Sequence, residues 1–185
     1  QLFFCCLPCW RWARLRPLAL PVFPPLVLCS IAKKGVRKMA GDLKLAAKLL
    51  EEGYSLVVVR DGRALFSSRM PGVQSLLDAL DNNVLPGSAV ADKIMGRAAA
   101  MIAVQGEVTA VYSPLMSAEA AEVLAEAGIL YVAEKTVSRI LARNGTGPCP
   151  IEACTEFTVV PEKGVQAIRS LLQELTGKPR AHQFH

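Results

Sequence analysis

SAVADKIMGRAAAMIAV, residues 88–104, is the stretch on which the reading of this chain turns. It is rich in alanine and large apolar side chains, and only Asp92, Lys93 and Arg97 carry charge. Alanine is the best helix former, and a run apolar on most sides must be buried on most sides. The stretch therefore predicts one buried helix. Asp92, Lys93 and Arg97 then stand at its start, where Asp92 and Lys93 either line a pocket or cap and solvate the helix end. Gly96 and the alanines keep side chains small, which lets a helix lie close against a sheet.

Working outward, Gly106 is followed by VTAVYS, which reads as a strand. Ser117 caps a helix running to Ala127, Gly128 ends it, and ILYVA is a further strand. A strand-helix-strand order favours parallel pairing through a right-handed crossover. Upstream, Asp42 is placed to cap a helix with Leu43, Ala46, Ala47 and Leu50 on one face and Gly53 as its stop. YSLVVVR and RALFSSR flank Asp61-Gly62, the signature of a hairpin with a type I′ turn. After Pro71-Gly72, VQSLLDALDN reads as another helix, and GVQAIRSLLQEL as the last one. The sum is an α/β domain with helices on both faces of a mixed sheet of about four or five strands.

A chain of 185 residues, 52% hydrophobic, has material for one well-buried domain. Its net charge of +5 is unevenly spread. Residues 1–38 hold seven Lys/Arg and no Asp/Glu, so the remainder has 21 − 7 = 14 basic against 16 acidic residues, a net of −2. Basicity is thus no argument for nucleic-acid binding by the domain. Residues 1–38 read as a non-native leader ahead of Met39 or as an Arg-rich targeting segment, 39–177 as the domain, and 178–185 as a flexible tail. Four prolines between Pro17 and Pro25 argue against a membrane span in the leader.

Only Cys149 and Cys154 lie outside the leader, which is no disulfide framework and fits a reducing cytoplasm. On one helix they would stand about 7.5 Å apart along the axis and about 140° around it, too far for a disulfide. Cys149 belongs to RNGTGPCPIEACT, residues 143–155, near the start of a possible helix. There it is either a nucleophilic, redox-sensitive thiol or a small residue in a tight turn. Glu152 is either a base or ligand-binding carboxylate, or a helix-start carboxylate favoured by the dipole. Asn144, Gly145, Thr146 and Gly147 either present backbone N–H groups to an anion, with Arg139 and Arg143 supplying charge, or simply make the turn.

The combination of ADKIMGRAAAMIAV, a strand, a Ser-led helix, a strand and RNGTGPCPIE resembles an uncharacterised, mainly prokaryotic family of unknown function with a cytidine deaminase-like fold. The resemblance spans roughly residues 42–175 and implies a three-layer α/β/α architecture. Zinc deaminases use H-x-E at one helix start and P-C-x-x-C at another. Here Met95-Gly96-Arg97-Ala98-Ala99 offers neither ligand nor carboxylate, Glu152 stands at the second cysteine position, and the histidines are His182 and His185 in the tail. One thiolate and one carboxylate do not make a three-ligand catalytic zinc site. The expectation is therefore a zinc-free, cofactor-free domain binding a small anionic or nucleotide-like ligand between residues 92–97 and 143–152. The alternatives are a thiol enzyme using Cys149 and a non-catalytic interaction module. A homo-oligomer is compatible with the sequence; nucleic acid and membrane are not expected partners.

Overall fold

The computed structural model describes residues 25–142, 147 and 149–177. Helix α1 (Pro25–Glu51) leads into the hairpin β1 (Leu56–Arg60) and β2 (Arg63–Ser68), then α2 (Gln74–Asp81). Strands β3 (Ala89–Asp92) and β4 (Ile94–Met95) precede α3 (Arg97–Gln105), β5 (Ala110–Ser117), α4 (Ala118–Glu126) and β6 (Leu130–Val137). A four-residue α5 (Pro150–Ala153) and α6 (Pro161–Thr176) complete the order.

The stretch 88–104 is not one helix. Its first half forms β3 and β4, and only the residues from Arg97 onward form α3. Helix propensity is a weak prior, and an apolar run can equally be a strand buried on both faces. Here Ala89, Val90 and Ala91 lie between β1 and β5, where both faces of the strand are covered. Asp92 and Lys93 consequently sit at a strand end, and only Arg97 of the three charged residues stands at the helix start.

β1 pairs antiparallel with β2 and β3, while β3, β4 and β6 pair parallel with β5. β6 pairs with β5 from Ala110 to Ser117, so β3 and β4 share β5's other edge, one beside Ala110–Tyr112 and the other beside Leu115 and Met116. The six strands therefore fill five lanes. Both parallel connections run through a helix, as a crossover requires.

Alternation along β1 divides the core. Leu56 and Val58 join Leu76, Leu77, Val90, Val111 and α3 on one face, whereas Val57 and Val59 join Ala46, Leu50 and Ala91 under α1 on the other. Fully burying each of these leucines and valines is worth about 1.5–3 kcal/mol. Helix α3 is buried from Ala98 to Ala103, with α2, α4 and α6 packed against it. The result is the three-layer α/β/α arrangement that the resemblance implies.

Asp42 does not cap α1, which runs on to Pro25. Its buried carboxylate instead accepts the N–H groups of Asp61 at 3.0 Å and Gly62 at 2.7 Å, fastening the hairpin turn to the helix. Both turn residues have positive φ, 59° and 72°, as a type I′ turn demands. Ser117 caps α4 as read, accepting the Ala120 N–H at 3.1 Å.

Candidate functional site

The parallel strands all end on one side of the sheet, and the helix starts cluster there. Gly96, the N-cap of α3, has no side chain to accept the first N–H groups of that helix. Glu152 of α5 supplies the acceptor: its carboxylate takes the Arg97 N–H at 2.7 Å and the Ala98 N–H at 3.4 Å. Burial pushes the Glu152 carboxyl up from its ordinary range, opposed by those two backbone donors. A Cβ at residue 96 would collide with the carboxyl group, so glycine is required by close approach.

Arg97 completes the clasp in the other direction. Its Nε donates to the Thr155 carbonyl at 3.1 Å and its Nη2 to the Thr158 carbonyl at 2.8 Å. Arg139 reaches Glu156 at 2.7 Å and Glu119 at 3.2 Å. The space lined by Glu119, Arg139, Glu152, Ala153 and Glu156 has no room for a water molecule. These groups are spent on one another, and the expected anion site offers no unpaired cation among the side chains that line this space.

Cys149 is half-buried at the N-cap of α5, and its N–H donates to the Ile140 carbonyl at 3.2 Å. Cys154 donates from Sγ to the Ile151 carbonyl at 3.1 Å, and burial pushes its thiol up. Gly147 accepts the Ala142 N–H at 2.9 Å. Arg143, Asn144, Gly145 and Thr146, read as the anion loop, lie outside the described residues, as do Pro148, His182 and His185. Among the described residues no three His, Cys, Asp or Glu side chains form a group able to hold a metal ion.

Asp92 and Lys93 do not line one pocket, because neighbouring residues of an extended segment point to opposite faces. Asp92, paired with Leu56, lies on the α3 side, where its carboxylate accepts the Ile94 N–H at 3.3 Å and burial pushes its pKa up to about 7. Lys93 lies on the α1 side. There it lines a groove of about 290 Å³ with Ala47, Leu50, Glu51, Gly53, Tyr112, Pro114 and Glu134. Tyr112 donates its hydroxyl to Glu134 Oε1 at 2.5 Å, and this bond, with burial, pushes the Tyr112 pKa up to about 12.

Of the groove residues, only Lys93 is a candidate site residue in the sequence; Ala47, Leu50 and Gly53 read there as a helix face and its stop. Glu51, Tyr112 and Glu134 belong to three different elements, and they meet only because β5 and β6 pair with Tyr112 opposite Val132 while α1 crosses above. Alternation puts Glu134 on the same face as Val132. Register was the missing signal.

Among the described residues no helix is long and apolar enough to cross a membrane. No curated protein matches the chain. A crystal structure of a DUF1893 family protein from Thermotoga maritima is similar in fold, with a TM-score of 0.65 and 23% identity over 70% of this chain and 89% of its own. A diaminohydroxyphosphoribosylaminopyrimidine deaminase/5-amino-6-(5-phosphoribosylamino)uracil reductase from the same organism is 13% identical over 77% of this chain and 42% of its own; at a TM-score of 0.38 the overlap carries no argument. The family model of a domain of unknown function, DUF1893, matches residues 44–172, and with that coverage the chain belongs to the DUF1893 family.

Proposed function

We propose that this domain is a zinc-independent, small-molecule-binding module, and that its ligand occupies the groove between the end of α1 and the sheet. The observation that carries this reading is the groove itself: about 290 Å³, with an apolar floor from Ala47, Leu50 and Pro114 and polar groups at Lys93, Tyr112 and Glu134. Concave sites with a few convergent polar groups are where ligands bind. The loop site expected from the sequence is less favourable. Glu152 already fills the α3 N-terminus, and the base that a Cys149 thiol would need is committed to backbone N–H groups.

The reading is tested on the full chain by backbone amide NMR with a library of small polar fragments, alongside metal analysis. Shifts clustering at Lys93, Tyr112 and Glu134 are expected. Shifts clustering instead at Cys149 and Glu152 would refute the location, and stoichiometric zinc would reopen hydrolytic deamination.

An interaction module is favoured by a different observation. Phe157 and Val159 are 94% and 85% exposed in the α5–α6 connection. Sedimentation of the full chain against Phe157→Ser tests it, since a self-association surface there would be lost in the variant.

A further inference from the structure

We infer that the groove takes a zwitterion of the amino-acid class, a small molecule carrying an ammonium and a carboxylate group a few bonds apart. This rests on the groove reading above and adds the ligand's chemistry.

Three of the lining residues present acceptors. The Tyr112 hydroxyl spends its hydrogen on Glu134 Oε1, so both groups bring acceptor oxygens and no donor to the groove. Glu51 adds a second carboxylate close enough to raise the Tyr112 pKa. It stands at the last residue of α1, where the helix dipole is negative and favours a cation. Three acceptor groups match the three N–H donors of an ammonium.

Lys93 is the cation of the groove lining. Among the described residues it makes no ion pair, and its own N–H is occupied by the Ser55 carbonyl at 3.1 Å, so its side chain offers a charge and three donors to a ligand carboxylate. The rest of the lining is Ala47, Leu50, Gly53 and Pro114, which suits a short hydrocarbon link.

Charge weighs against a phosphate-bearing ligand in this groove. With Tyr112 neutral, one lysine faces two glutamates, a net of −1 that repels a phosphate dianion. A volume of about 290 Å³ stands at the small end of the ~300–1,000 Å³ of ligand pockets, ample for a small zwitterion. A lone anion would meet the carboxylates and a lone cation would meet Lys93; a zwitterion satisfies both.

The test is calorimetric titration of the full chain with glycine, β-alanine and 4-aminobutanoate, against propanoate, propylammonium, inorganic phosphate and adenosine monophosphate. At least one zwitterion is expected to bind about tenfold or more tighter than either singly charged probe, the effect of one charge-assisted contact. Lys93→Ala should weaken that zwitterion about tenfold while propylammonium, relieved of the like charge, binds no more weakly than before. Glu134→Gln should weaken the zwitterion and propylammonium and spare propanoate, with Lys163→Ala as the charge control. Tightest binding by phosphate or the nucleotide, lost in Lys93→Ala, overturns the ligand class while leaving the groove reading standing. Absence of binding by every probe, or binding that neither variant alters, overturns both.

Discussion

Replacing Gly96 by alanine isolates the contact that joins α5 to α3. Gly96 has φ −94° and ψ 176°, extended backbone that any residue adopts, so the substitution carries no conformational strain. Its cost comes from the Cβ, which displaces the Glu152 carboxyl. That removes the cap of α3, worth about 1 kcal/mol, and strips a buried carboxylate of its donors, about 1–3 kcal/mol more. Gly96→Ala should therefore destabilise by about 2–4 kcal/mol. Glu152→Ala removes the carboxylate and leaves two orphan N–H groups, for about 1–2 kcal/mol. Once Glu152 is gone the new methyl has nothing to strike, so the double variant should cost about what Glu152→Ala costs alone, less than the two singles summed by about 2–4 kcal/mol. Urea unfolding of the four proteins at neutral pH measures this. Additivity within about 0.5 kcal/mol would show that Gly96 and Glu152 do not communicate, and the clasp would lose its basis.

Asp92 makes stability fall with pH. Its folded pKa of about 7 lies above the ordinary 3.8, so the folded chain holds a proton that the unfolded chain has released. The contribution is fully present below the unfolded pKa and is lost as pH rises through the folded one, at most about 4 kcal/mol at 1.36 kcal/mol per unit. Urea midpoints of Asp92→Asn should gain on those of the native chain between about pH 4 and pH 7; parallel curves would contradict the buried, protonated carboxyl. Asp42→Ala frees the hairpin turn from α1 and should cost about 1–2 kcal/mol, read by urea unfolding, with amide exchange at Asp61 and Gly62 accelerated; unchanged exchange there would refute the clamp.

Local chemistry made much of the fold legible. Asp61-Gly62 between two β-branched runs announced its hairpin, Ser117 its helix, and the strand-helix-strand order its parallel pairing. Each of these signals acts within a few residues, through a turn geometry or a cap. The errors came where distant partners decided. Residues 88–95 look helical to their neighbours, but they lie between β1 and β5, and that burial outweighs alanine's preference. Asp42 has the chemistry of a cap, but its acceptor oxygens found the N–H groups of a turn nineteen and twenty residues away.

The same division runs through the candidate sites. By itself the sequence determined that a three-ligand zinc set was missing at the motif positions, because that is read from residue identities at short spacings; that residues 92–97 and 143–152 would face one another was implied only by the family resemblance. It could not determine that Glu152 would serve α3, since the two are over fifty residues apart in the chain and meet only when α5 docks. Nor could it join Glu51, Lys93, Tyr112 and Glu134 in one groove or send Asp92 and Lys93 to opposite faces. Those placements depend on strand register and on where α1 crosses the sheet, and a shift of one residue in register would turn every side chain to the other face.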